Sequence, residues 1–140
     1  MRDLVLQHLR ERFQSLNNIV DTLAPELFNS HLDVPKNKTV GEHMWCIVGA
    51  RESYANALLA GDWNGFSCSL SSTENRGDVQ SALVSSEAAF ESALAHVDEW
   101  TPERDSLLMY LLEHETNHEA QLIRHLYGLE QSLPESVKWA

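Results

Sequence analysis

Three histidines carry the type and spacing that could do chemistry in this chain: His43 early in one predicted helix, and His114 and His118 spaced i, i+4 in another near the C-terminus. At that spacing two side chains sit one turn apart on the same helix face, so both imidazoles can reach one ion. A lone histidine on an apolar face needs only a hydrogen-bond partner. Three inward imidazoles are costly to bury separately, and one shared divalent ion would satisfy them all. Three neutral imidazoles without a fourth protein ligand match an open metal site that water or substrate completes. The ion would act as a Lewis acid or lower the pKa of a bound water or thiol. Zinc, nickel, iron and manganese all suit imidazole, so the metal stays open. Glu42 and Glu115 either orient ligand imidazoles from behind or are plain helix charges. Cys46, three residues after His43, either approaches the ion or serves as a small buried hydrophobe.

The run HETNH at 114 to 118 also spells H-E-x-x-H, in which Glu115 would be the general base of a zinc-dependent hydrolase. Its extended form needs a glycine and a third histidine where the chain has Gln121 and Arg124. The same residues contain E-x-x-H, half of a di-iron carboxylate pattern, with no second copy elsewhere. His125 falls two turns beyond His118, which fits a core or rim role. His96 is placed to interact with a helix dipole, and His8 and His31 read as surface or loop residues. Arg51, Glu52 and Tyr54 either line a pocket or pair on the bundle surface.

The elements that must position these residues follow from periodicity. Leu6, Leu9, Phe13, Leu16, Val20 and Leu23 recur at helical spacing until Pro25 stops the pattern. Thr39 with Glu42 forms a capping box for a second helix carrying His43, Ile47, Ala50, Tyr54 and Leu58 on one face, and Gly61 ends it. Residues 61 to 77, rich in Gly, Ser and Asn, read as a loop long enough to cross the bundle. Asp78 is the expected cap of a third helix striped by Val79, Leu83, Phe90, Leu94 and Val97. Thr101 and Pro102 open a fourth that runs to Gly128, with His114 and His118 inside the stripe of Leu107, Leu111 and Leu122. The tail is expected to be irregular, with Leu133 and Trp139 packing back. No strand-like alternation appears, so the expectation is an all-α four-helix bundle, one domain over residues 1 to 140.

A net charge of −11 opposes the counterion release that drives binding to DNA or RNA, so nucleic acid is not an expected partner. Cys46 and Cys68 form no CxxC, and the opening MRDLVLQHLRERF has charges where a secretory signal needs an apolar run. A cytoplasmic protein is expected. The longest apolar stretches fall far short of the roughly 20 residues that span a bilayer.

With His43, then H114-x-x-x-H118 followed by Gln121, and a terminal Leu133-Pro134, the chain resembles the DinB (YfiT-like) superfamily over nearly its whole length. The resemblance implies that His43, His114 and His118 ligate the metal, that a long overhand crossover joins helices two and three, and that the protein forms homodimers. Members include thiol-cofactor-dependent S-transferases and a maleylpyruvate isomerase, so a low-molecular-weight thiol and a small-molecule substrate are implied. The family often has a basic residue and a Gly before its Gln, whereas Glu119 and Ala120 precede Gln121 here. Two readings follow: a metal-dependent enzyme activating water or a small thiol, or a non-catalytic metal-binding bundle. A cleft open beside the imidazoles distinguishes the first from the second.

Overall fold

The computed structural model describes residues 1 to 137. Its helices are α1 (Arg2–Thr22), α2 (Val40–Ala60), α3 (Arg76–Ala95) and α4 (Pro102–Gly128), with a short 3-10 turn at Pro25–Leu27 and no strand among the described residues. No described helix is long and apolar enough to cross a membrane. Leu133 packs against the core as the pattern predicts; Trp139 lies outside the described residues.

Local chemistry explains where the helices begin and end. The Thr39 hydroxyl accepts from the Glu42 amide at 3.1 Å while the Glu42 carboxylate accepts from the Thr39 amide at 2.8 Å, which closes the capping box. Gly61 takes φ 88° at the far end of α2, a conformation that costs a side-chain-bearing residue energy. Thr101 caps α4 ahead of Pro102. The third helix departs from expectation. Asn75 is its cap, accepting from the Asp78 amide at 3.0 Å, so the helix opens at Arg76 and Asp78 sits in the first turn. Both residues are good caps, and the earlier one leaves the Asp78 carboxylate favourably placed against the helix dipole.

The connection from α2 to α3 runs back along α2. Ser67 is hydrogen-bonded to Ser53, Ser69 to Glu52, and the Thr73 carbonyl lies beside Gly41. Helix α3 therefore starts near the beginning of α2 and runs parallel to it. Arg2 near the start of α1 pairs with Asp105 near the start of α4, so these two are also parallel. The result is a bundle with an up-down-down-up course and one long crossover, in which α2 packs on α3 and α4, and α1 packs on α4 and α3.

Two apolar clusters fill the interior. One gathers Leu16, Ile19, Met44, Ile47, Leu83 and Leu122 among others; the second gathers Leu9, Phe13, Leu58, Phe90 and Leu111. Between them lies a polar waist to which every helix contributes. Arg51 of α2, fully buried, donates from Nε and Nη2 to the two oxygens of Glu115 of α4, also fully buried, at 3.1 and 2.9 Å. Its Nη1 donates to Asn17 of α1, whose amide donates to Glu87 of α3. Above the Phe13 ring the same guanidinium makes a cation–π contact at 4.2 Å. One turn along α4, Glu119 accepts from Arg12 and Ser15 of α1, all three buried.

Candidate metal centre

His43 enters the interior from the first turns of α2, where the capping box fixes the backbone just before it. His118 meets it from α4. Their Nδ1 atoms are 2.9 Å apart and the ring centroids 5.2 Å apart, nearly perpendicular, across a sequence separation of 75. The His114 ring lies 4.5 Å from that of His118. The structure thus brings the three rings together at the seam between α2 and α4. It places them unequally, because the buried stripe of α4 runs through Leu111, Glu115, His118 and Leu122 and leaves His114 half-buried at its edge.

Burial governs the protonation of these rings. Desolvation pushes His43 down to about 4, helped by the nearby Lys38 charge, and His118 down to about 3, helped by the other two rings. Burial lowers His114 as well. All three are therefore neutral at pH 7, the form in which imidazole can donate a lone pair to a metal. At 2.9 Å the Nδ1 atoms of His43 and His118 are hydrogen-bonded to each other. Two donors about 2.0–2.1 Å from a tetrahedral cation stand about 3.3 Å apart, so the rings need separate by only a few tenths of an ångström to share one. The buried Nδ1 of His114 has no hydrogen-bond partner among the described residues, a debt that a cation would settle. As the side chains stand, no three His, Cys, Asp or Glu residues among those described form a group set to hold an ion.

Beside His43, the one ring of the three that reaches it, a cleft of about 520 Å³ opens to solvent, lined also by Lys36, Lys38, Gln121, Arg124 and His125. The opposite end of the α2–α4 seam holds a smaller cleft of about 350 Å³ between Tyr54, Trp63 and Tyr110.

The flanking residues resolve differently from the sequence-based alternatives. Glu42 is the capping-box acid and does not reach an imidazole. Glu115 is neither a support for the imidazoles nor an exposed helix charge, since Arg51 occupies both of its oxygens in the core. Burial pushes its carboxyl up while Arg51 opposes the shift. Arg51 pairs within the bundle interior and not on its surface. Cys46 is half-buried at the rim, its sulfur 3.2 Å from the Lys38 Nζ, and belongs neither to the ring cluster nor to the core. His96 caps α3, its Nδ1 2.7 Å from the Ser92 carbonyl. His8 faces Glu11 on the surface and His31 is exposed.

His125 takes the core role, 1 % exposed, with Nδ1 3.3 Å from the Asn37 amide nitrogen. Because an amide nitrogen can only donate, that contact keeps Nδ1 unprotonated. Burial lowers its pKa from the ordinary value of 6.5. The unfolded chain therefore takes up a proton before the native one does, and stability is lost as pH falls through that value. Thermal unfolding at pH 7 and pH 5 should show a smaller loss in His125→Leu than in the parent, and equal losses would contradict this role.

No protein-family model and no curated protein matches this chain.

Proposed function

We propose that His43, His114 and His118 hold a divalent metal ion and that the protein is a metal-dependent enzyme acting on a small molecule. The observation that carries this reading is the close approach of the His43 and His118 nitrogens from two different helices beside an open cleft. A divalent ion bound there would supply Lewis acidity and lower the pKa of a bound water or thiol. The chain's own part is to keep the imidazoles neutral by burying them, to fix α2 and α4 against each other through the Arg51–Glu115 pair, and to leave one side of the cluster accessible. Water or the thiol of a low-molecular-weight cofactor would be the nucleophile, giving up its proton as it bonds to an electrophilic substrate, which takes that proton on addition or lets it depart with the displaced group on substitution. The up-down-down-up course with its long crossover also supports a DinB-like assignment, and with it a homodimer.

The cleft reaching His43 favours this over a non-catalytic metal-binding bundle, in which a closed apolar surround is expected. Of the enzymatic alternatives, a zinc-dependent hydrolase using HETNH has less support. A general base must face the water it deprotonates, and both Glu115 oxygens are bound to a buried guanidinium.

Elemental analysis of the purified protein tests the reading. A stoichiometric metal in the parent, lost in His43→Ala and in His118→Ala and reduced in His114→Ala, is the expected result. Equal metal content in all four samples ends it.

A further inference from the structure

Among the described residues, the lysines and the one arginine that have neither a carboxylate nor a carbonyl partner gather at the cleft beside His43, where Lys38 donates to the Cys46 sulfur. Six of the described arginines are spent on the protein itself. Arg2, Arg10, Arg12 and Arg51 pair with Asp105, Glu91, Glu119 and Glu115, while Arg76 and Arg104 donate to backbone carbonyls. The described lysine and arginine side chains that remain are Lys36, Lys38 and Arg124, and all three line this cleft. None has an acidic partner among the described residues, and no Asp or Glu stands in the lining. Lys36 and Lys38 come from the α1–α2 connection and Arg124 from α4, so two separate elements converge their charges on one space.

We infer that this cleft binds a small oxyanion, a carboxylate or a phosphate, held by Lys38 and Arg124 against the His43 ring. An arginine offers a planar fork that matches either anion, and a lysine adds a compact point charge. Gln121 supplies a neutral donor on the same wall. The volume of about 520 Å³ suits a small metabolite and not a macromolecule. Lys38 and His43 line the same cleft, so an anion seated between Lys38 and Arg124 lies beside the α2 ring of the cluster. That the anion is the substrate rests on the metal-centre reading; that it binds does not.

Titration calorimetry tests the assignment with succinate, inorganic phosphate and uncharged succinamide as probes, on the protein as purified and after chelator treatment, with metal content measured on the same samples. Lys36, Lys38 and Arg124 are exposed, so Lys38→Gln and Arg124→Gln should fold as the parent does, which circular dichroism checks. Each substitution is expected to weaken binding of the preferred anion at least tenfold and the pair to abolish it, with the metal content unchanged. Tighter binding of succinate identifies a carboxylate ligand, and tighter binding of phosphate a phosphorylated one. Succinamide binding as tightly as succinate, or a double variant binding within twofold of the parent, overturns the inference. A parent that carries no metal as purified, and whose anion binding still depends on Lys38 and Arg124, overturns the metal-centre reading and upholds the anion site. A metal-loaded parent indifferent to both substitutions does the reverse.

Discussion

Replacing Arg51 with Met is expected to lower the free energy of unfolding by about 3–5 kcal/mol, the cost of leaving a fully buried carboxylate without its counter-charge. A domain of this kind has only about 5–15 kcal/mol in total, so the variant should sit near the edge of folding. The loss has several parts. Both Glu115 oxygens lose their donors, Asn17 loses the guanidinium that ties it to α2, and the Phe13 ring loses its cation. Replacing Glu115 with Leu in the same chain should recover most of the deficit, because two apolar side chains of similar volume have no desolvation to repay. Urea denaturation of the single and double variants is the measurement. A single variant as stable as the parent would mean that the pair is not buried as described, and a double variant no better than the single would assign the loss to packing and not to charge.

Gly41→Ala should cost about 3 kcal/mol, at the upper end for overpacking. A Cβ there would lie 2.2 Å from the Thr73 carbonyl oxygen and 2.9 Å from the Phe28 ring. The first of these is backbone and cannot swing aside, so the crossover or the start of α2 must move, and His43 stands two residues on. The gain in helix propensity, about 1 kcal/mol, offsets only part of the strain. Gly49 provides the internal control. Its added Cβ meets mainly the ring of Phe66, which is 48 % exposed and can rotate outward, so Gly49→Ala should cost about 1 kcal/mol or less. Chemical denaturation of both variants separates the cases. Equal stabilities would show that the crossover is not pressed onto α2 at Gly41.

The helices were legible in the sequence because their ends carry local chemistry. Thr39 with Glu42, Gly61 and Thr101 with Pro102 each act within a few residues of themselves, and each stands where the pattern puts it. The cap of α3 was misplaced because Asn75 and Asp78 are equivalent by type, and only the run of the crossover into the helix chooses between them. The meeting of His43 with His118 was also foreseeable, since both fall on apolar faces. The buried ion pairs were not read, although a signal existed. Glu115 and Glu119 interrupt the stripe between Leu111 and Leu122, and Arg12 and Arg51 sit among apolar neighbours on α1 and α2. A charge on a core-facing stripe demands an internal partner, but which arginine meets which glutamate depends on helix adjacency that no local pattern contains. The cationic cleft was hidden for the same reason, because Lys36 and Lys38 lie far from Arg124 in the chain.

The polar waist has a further consequence for how the helices can be aligned. Glu115 and Glu119 are one turn apart on α4 and face guanidinium groups on two different helices, Arg51 on α2 and Arg12 on α1. An apolar seam alone would tolerate a slide of one turn, since leucine exchanges for leucine at modest loss. Here the same slide would carry one acid to the other's arginine, but it would strand the second acid among leucines and leave the second guanidinium without a carboxylate. Only a single vertical setting of α4 keeps both acids paired, and in that setting His118 stands level with His43.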